Sequence, residues 1–374
     1  MALGIYIHAP FCRTRCSFCA FYLRIHREDQ AHTYVDAVKR EIRLYAGRAS
    51  LGEHRPDTLY FGGGTPTTLR PEQLADLVAI VRDCFGLAER AEVTVEAHPD
   101  SVTEEGLQTL RQAGVNRISF GVQSMDEEEL IQVGRKTSRA ALDRAVAHAR
   151  TAGFANLNLD LIYGLPGQTP ASWRETLAQA LALVPDHLSC YALTVEDKTH
   201  LQVSLHRGDL PEPDQDVQNA MEDEAASLLT ASGFQRYEIS NYCRPGHACR
   251  HNLLYWQGGE YLGLGPSAQS YLNGCRFGNV EDLTAYQDRL AAGEPAVLQS
   301  EQLSPAQQRR EALVFGLRLI EGISLDGASE DSVDQRDQTL QRLRQKGLVE
   351  LEEGRVRLTA LGRRFADQVA VELL

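Results

Sequence analysis

Cys12, Cys16 and Cys19 stand in C-x3-C-x2-C spacing within "FCRTRCSFC", and no fourth cysteine follows nearby. Steps of three and two residues can return a chain to neighbouring irons of one compact cluster, which ordinarily takes four thiolates. Three would leave one iron open to a small chelating ligand. The alternative, zinc, needs a fourth Cys or His close by. Ala20 and Phe21 follow the third cysteine, and His8 and His26 are the candidates near in sequence. A second group, Cys243, His247, Cys249 and His251, could form a small zinc site of its own, with loose spacing and no second C-x2-C pair to support it.

Other residues suited to a small polar ligand fall where strand-like patterns stop. Gly62-Gly63-Gly64-Thr65-Pro66 follows one such run, and its missing Cβ atoms would let backbone N–H groups approach a carboxylate or ribose. Glu96 ends another run, Gln123 follows a third, and Asp160 lies in a fourth before "YGLPGQ". Singly, each reads equally well as a cap or turn residue. Together they offer two carboxylates, an amide and a glycine cradle at the strand ends, the face that carries chemistry in parallel βα architectures.

The elements that must position these groups alternate. Short β-branched or aromatic runs near 4–8, 57–61, 92–96, 116–120, 156–162 and 187–194 read as strands. Amphipathic stretches at 30–46, 71–84, 103–113, 127–132, 138–152 and 171–183 read as helices, the second opening on Pro71. The class is α/β, and six strand–helix units imply an incomplete (β/α)6 barrel or a strongly curved open sheet. Residues 197–216, with Pro211 and Pro213 among charges, read as a loop before a helix near 217–231. A core over 1–232 is then followed by an α+β extension, 233–300, rich in Gly, aromatic residues and His. A small unit, 301–374, has helices near 305–320 and 334–346, two short strands about Glu353-Gly354 and a closing helix, a winged-helix-like order.

With 374 residues, 43% of them hydrophobic, the chain can bury a sizeable core. Its formal charge of -13, from 38 basic and 51 acidic residues, opposes attraction to phosphate backbones, so nucleic acid is not expected as a partner. The winged-helix-like unit has no Arg/Lys-rich recognition face and reads as a packing domain. No uncharged apolar run reaches the ~18 residues of a membrane span, and the N-terminus lacks a signal pattern, so a cytoplasmic protein is expected. Eight cysteines are too sparse for a disulfide framework. Cys84, Cys190 and Cys275 stand apart from any cluster.

Taken in order, C-x3-C-x2-C, "GGGTP", "VEAHP", "GVQS", Arg135 and "NLDLIYGLPGQ" resemble the radical S-adenosylmethionine (SAM) proteins of the oxygen-independent coproporphyrinogen III oxidase group, over about residues 4–275. The resemblance implies a radical SAM barrel with a 4Fe-4S cluster on Cys12, Cys16 and Cys19. In that superfamily the amino and carboxylate groups of SAM chelate the open iron, and reductive cleavage gives methionine and a 5′-deoxyadenosyl radical. Carried over by motif position, Tyr6, Gly63 and Glu96 would contact the cluster-bound SAM, with Gln269 a looser match. Phe18, Gly64, Thr65, Gln123, Arg135 and Asp160 match positions that contact a second SAM in the oxidase, Thr194 more loosely. A planar guanidinium at Arg135 suits a carboxylate, and Asp160 suits ribose hydroxyls.

Within that group the chain resembles the heme-chaperone branch rather than the oxidase. The oxidase carries a long extension before its cysteine loop and a fourth cysteine, whereas this sequence begins five residues before Tyr6 and has Phe21 at that place. "RHNLLYW", residues 250–256, looks like the HNxxYW signature of the chaperones. It implies heme as a ligand, with His251 as an axial donor and Tyr255 and Trp256 as flat faces for a porphyrin. Gln269 departs from the His usual in that branch. The partners implied are heme, a heme-acceptor protein and a reductant for the cluster, with membrane contact only through an acceptor. The alternative is a radical enzyme acting on a porphyrinogen, and a cluster scaffold that binds SAM without turnover is a third reading.

Overall fold

The computed structural model describes residues 3–47, 55–325 and 333–374, without the side chains of 333–335. Its centre is set by strict two-residue alternation. In β4 (Thr58–Gly63), Leu59 and Phe61 are wholly buried while Thr58, Tyr60 and Gly62 take the opposite parity. The same split recurs in β5 (Glu92–Ala97), β6 (Arg117–Gln123), β7 (Asn156–Tyr163) and β8 (His187–Ala192). Parallel register keeps parity across the sheet: Leu59 faces Val93, Val95 faces Ile118 and Phe120 faces Leu159. One face is therefore apolar. The other carries Thr58, Tyr60, Glu92, Glu96, Arg117, Ser119, Asn158, Asp160, His187 and Ser189, unlike the continuous apolar runs of sheets buried on both sides.

β1 (Leu3–Ala9) joins this set between β4 and β11 (Glu260–Leu264), both parallel to it. The apolar face is covered by α1 (Glu28–Ala46), α2 (Pro71–Phe85), α3 (Glu104–Ala113), α5 (Arg139–Thr151), α6 (Pro170–Ala182) and α8 (Gln215–Ala231). Trp173 of α6, fully buried, donates its indole N–H to the Met221 carbonyl of α8 at 2.8 Å. Each such buried large side chain contributes roughly 1.5–3 kcal/mol. Pro71 starts α2 as the sequence indicates, and Gly86 ends it in the left-handed conformation.

The described residues give a twelve-stranded sheet in the order β14-β13-β12-β11-β1-β4-β5-β6-β7-β8-β10-β9. The incomplete barrel is thus open, and it is wider than six strands. Residues of the 233–300 stretch extend both edges: β9 (Gln235–Arg236) and β10 (Asn241–Cys243) beside β8, and β11, β12 (Gln269–Leu272), β13 (Cys275–Asn279) and β14 (Val297–Gln302) beside β1. One buried cluster runs from Leu3 to Ala296, α10 (Leu283–Ala291) included. A second core, with Leu313, Leu340, Leu343, Val356 and Val369, serves α11 (Pro305–Gly316), β15 (Ile323–Ser324), α12 (Val333–Gln345), the β16–β17 pair (Val349–Glu352, Arg355–Leu358) and the terminal helices α13 (Ala360–Arg364) and α14 (Ala366–Leu373).

One expectation fails in the 197–216 stretch, which contains the helix α7 (His200–His206). Thr199 caps it, and Leu201 and Leu205, four residues apart, bury themselves with Val133, Ile162, Leu165 and Leu193. The two prolines follow the helix and do not interrupt it.

Candidate functional site at the strand ends

The cysteine loop leaves the C-terminal end of β1. Its base is closed by β2 (Phe11–Cys12) and β3 (Arg24–Ile25), which pair in parallel, and by an N–H of Arg24 donated to the Pro10 carbonyl at 2.6 Å. Ser17 donates to the Val133 carbonyl and accepts from the Leu201 N–H, each at 2.9 Å, and Phe18 packs on the α7 cluster. Cys12, Cys16 and Cys19 are half-buried free thiols. Burial raises the pKa of Cys12, and proximity to Cys19 and Cys16 raises it further; the Thr65 hydroxyl, 3.5 Å from its sulfur, works the other way. Cys19 is likewise raised, by burial first. Arg135, buried, donates to the Cys16 sulfur at 3.7 Å and to the Gly121 carbonyl, and its Nε has no partner. A cation bonded to one of three clustered cysteines, whose thiolates would repel one another, suits a centre that collects thiolate charge. Phe21, 65% exposed, projects beside the loop.

The glycine turn does more than the sequence suggests. Gly64 and Thr65 donate their N–H groups to the carbonyls of Ala9 and Phe11 at 2.8 and 2.7 Å, and the Gly63 N–H serves Glu96. The Gly64 and Thr65 amides clamp the base of the cysteine loop, the Gly63 amide holds Glu96, and none of the three is free to cradle a ligand. Gly63 has φ +104, and a Cβ there would meet the His8 ring at 2.6 Å; one at Gly64 would meet the Phe11 carbonyl oxygen at the same distance.

Glu96 is fixed by Tyr60, whose hydroxyl donates to Oε1 at 2.7 Å. Burial and the nearby Asp160 push its carboxyl up to about 8, so it is largely protonated at neutral pH until a cation approaches. Asp160 accepts from Ser119 at 2.9 Å and from Asn158 at 2.8 Å. Gln123 sits at a register shift in β6 with φ +71, which turns it out of the strand. Tyr6, its hydroxyl 3.2 Å from His8 Nδ1, packs by Tyr60 with ring centroids 6.2 Å apart. Thr65 and Arg135 thus touch the cysteines, and Tyr6, Gly63, Gly64, Glu96, Gln123 and Asp160 lie on or directly after β1, β4, β5, β6 and β7 of the same sheet. Thr194 is exposed in the loop after β8, and Gln269, also exposed, lies over Gly278.

The "RHNLLYW" segment lies at the other end. It forms α9 (Arg250–Trp256), whose first N–H groups, from Arg250 and His251, donate to the Glu92 carboxylate at 3.1 Å each, with the Cys249 thiol 3.5 Å from it. His251 is 1% exposed, with Nδ1 2.7 Å from the Thr58 hydroxyl and Nε2 2.8 Å from the Tyr255 hydroxyl. Burial lowers its pKa to about 3, so the ring is neutral. As placed, neither ring nitrogen is open to iron, which departs from the axial-donor expectation: the helix closes the N-terminal end of the inner face. Nor do Cys243, His247, Cys249 and His251 assemble a zinc site, since Cys249 and His251 are engaged elsewhere and Cys243 is held in β10. Tyr255 and Trp256 are half-buried, with the Arg318 guanidinium 4.5 Å above the Trp256 ring.

Sequence reasoning passed over the polar inner face: Thr58, Tyr60, Glu92, Arg117, Asn158 and His187. The period-two alternation in "TLYFGG" and "NLNLDL" carries that signal. His98 was also missed; it is kept neutral by burial, its pKa lowered to about 3, and lies 3.1 Å from the Thr137 hydroxyl.

Residues 6–180 match the radical SAM superfamily model and residues 303–365 the HemN C-terminal domain model. The chain is 38% identical over 374 residues to the heme chaperone HemW of Mycobacterium tuberculosis, covering 99% of this chain and 94% of that protein. It is 34% identical to heme chaperone HemW of Bacillus subtilis, with 97% of each covered. In solved structures, Escherichia coli coproporphyrinogen III oxidase, HemN, a radical SAM enzyme, superposes with a TM-score of 0.86 at 28% identity, over 100% of this chain and 90% of that one. No described helix is long and apolar enough to cross a membrane.

Proposed function

Since the chain belongs to the HemW family of radical SAM proteins, we propose that it is a heme chaperone, binding heme and passing it to an acceptor hemoprotein in the cytoplasm. The observation that carries this reading is likeness to named heme chaperones over almost the whole of both chains, the C-terminal unit included.

The family implies a 4Fe-4S cluster and SAM, and the residues present fit both. Cys12, Cys16 and Cys19 would hold the cluster, and Arg135 offsets the charge gathered there. Bound together, cluster and SAM supply one-electron reductive chemistry, for which an external reductant is the partner. Glu96, with its carboxyl pushed up to about 8, holds a proton at neutral pH and would release it to pair with the ammonium group of SAM. Asp160, oriented by Ser119 and Asn158, presents acceptor oxygens to hydroxyl groups. By motif position, Tyr6, Gly63 and, more loosely, Gln269 would border the cluster-bound SAM with Glu96, while Phe18, Gly64, Thr65, Gln123, Arg135, Asp160 and, more loosely, Thr194 would line a second one. For heme, Tyr255 and Trp256 offer aromatic faces beside the C-terminal unit, while His251 could reach iron only after α9 leaves Glu92 and Thr58.

The test is heme transfer. Pure protein loaded with heme should shift the Soret band and restore the spectrum of an apo-hemoprotein on mixing; no transfer to any acceptor tried, with no Soret shift, would remove the proposal. The full-length superposition on the oxidase favours a second reading, decarboxylation of coproporphyrinogen III. Under reducing, SAM-replete conditions the chaperone reading expects no protoporphyrinogen IX.

A further inference from the structure

Neither nitrogen of His251 is free, yet its ring touches the candidate SAM site from below. It stacks on Tyr60, centroids 5.0 Å apart and planes 23° from parallel, and on Tyr6 at 6.3 Å and 26°. The Tyr60 hydroxyl donates in turn to Glu96. Two glycines make room for this column. A Cβ at Gly4 would meet the His251 ring at 3.2 Å, and one at Gly62 would meet Tyr60, Glu96 and Tyr6 at 3.0–3.1 Å. Thr58 and Tyr255 hold the imidazole edge-on at both nitrogens, so it cannot turn away from the tyrosine it supports.

We propose that His251 is a positioning residue for SAM: it holds Tyr60 from beneath, and Tyr60 fixes the Glu96 carboxylate in the cleft. The inference rests on the reading that Glu96 contacts SAM. It gives the chaperone signature a task at the SAM end of the sheet. Without the imidazole, a cavity opens under the Tyr60 ring and the Thr58 and Tyr255 hydroxyls lose their partner. Tyr60 then settles downward and Glu96 loses the donor that stabilises its ionised form.

The experiment measures SAM affinity of the cluster-loaded protein from pH 6.5 to 9, by the change SAM makes in the reduced cluster's electron paramagnetic resonance signal, beside a heme titration of the Soret band. Loss of a hydrogen bond to a charged group predicts about tenfold weaker SAM binding at pH 7 in Tyr60→Phe and in His251→Ala. In both, the pH at which affinity rises should move upward. The double variant should be little worse than either single, because both act through one contact. His251→Phe, which keeps a ring under Tyr60, should recover most of the affinity, and the heme titration should stay near wild type in Tyr60→Phe. The proposal falls if His251→Ala leaves SAM affinity and its pH profile unchanged, or if the single effects simply add. Should the alanine variant not fold, the contrast of His251→Phe with Tyr60→Phe decides: equal losses overturn the proposal. Glu96→Gln separates the premise, since undiminished SAM binding there would refute the contact itself whatever the His251 variants do.

Discussion

The two ends of the inner face use similar residues differently. At the C-terminal ends of the strands, Cys12, Cys16, Cys19, Glu96, Gln123 and Asp160 are half-buried, and several keep bonding capacity for a ligand. At the N-terminal ends, Glu92, Arg117, Thr58 and His251 are sealed under α9, with Glu92 receiving two N–H groups and facing a thiol. A carboxylate at the open end is tuned for exchange, while one at the closed end serves as an internal helix cap. The same division separates catalytic and stabilising faces in closed βα barrels.

The largest effects should separate the ends cleanly. Replacing any one of Cys12, Cys16 or Cys19 with Ala should abolish the brown chromophore and nearly all iron and acid-labile sulfide, yet change apoprotein stability by no more than about 1 kcal/mol. Stoichiometric zinc without sulfide in reconstituted wild type would refute the cluster. At the closed end, Glu92→Ala strands buried donors and should cost about 3 kcal/mol in urea unfolding while the folded fraction still takes up iron. The comparison breaks if the cysteine variants prove the less stable.

Gly63→Ala tests whether the glycine turn is a ligand cradle or a clamp. Left-handed φ and contact with His8 predict a loss of about 2 kcal/mol in protein without SAM. An unchanged midpoint would restore the cradle reading.

A last effect, read in the pH profile rather than in a midpoint, concerns Glu41 on α1, outside the inner face, which accepts from the Gly265 N–H at 2.8 Å, Asn279 at 2.7 Å and the Tyr286 hydroxyl at 2.6 Å. Burial raises its carboxyl to about 7 from an ordinary 4.5. The folded state therefore keeps this proton longer than the unfolded chain, so its contribution to stability is greatest below pH 4.5 and declines as pH rises to 7, by about 3 kcal/mol. Glu41→Gln should flatten that part of the profile; an identical slope in both proteins would contradict the assignment.

The six core strands and their helices were legible because each has its own period and boundary residues. β11 was not: "EYLGL" is short, glycine-flanked and meaningful only beside β1, far away in sequence. α7 was obscured by the prolines after it, although Leu201 and Leu205 carry helical spacing. Among site residues, the cysteines were legible from spacing alone. The clamp role of Gly64 and the closed-end position of His251 were not, because both depend on which distant backbone arrives opposite them.

The pairing of β1 with β11 also fixes an order of events during synthesis. The strand that ends in the cysteine loop can pair on one side once residues 58–63 exist, but Leu3 to Ile7 find their second neighbour only in residues 260–264. At about 5–20 residues per second, that leaves an apolar strand with an open edge for on the order of ten to fifty seconds on the ribosome. The cysteine loop is thus flanked on both sides only after more than two thirds of the polypeptide has been made, so a cluster held there would be gripped by a frame completed late in synthesis.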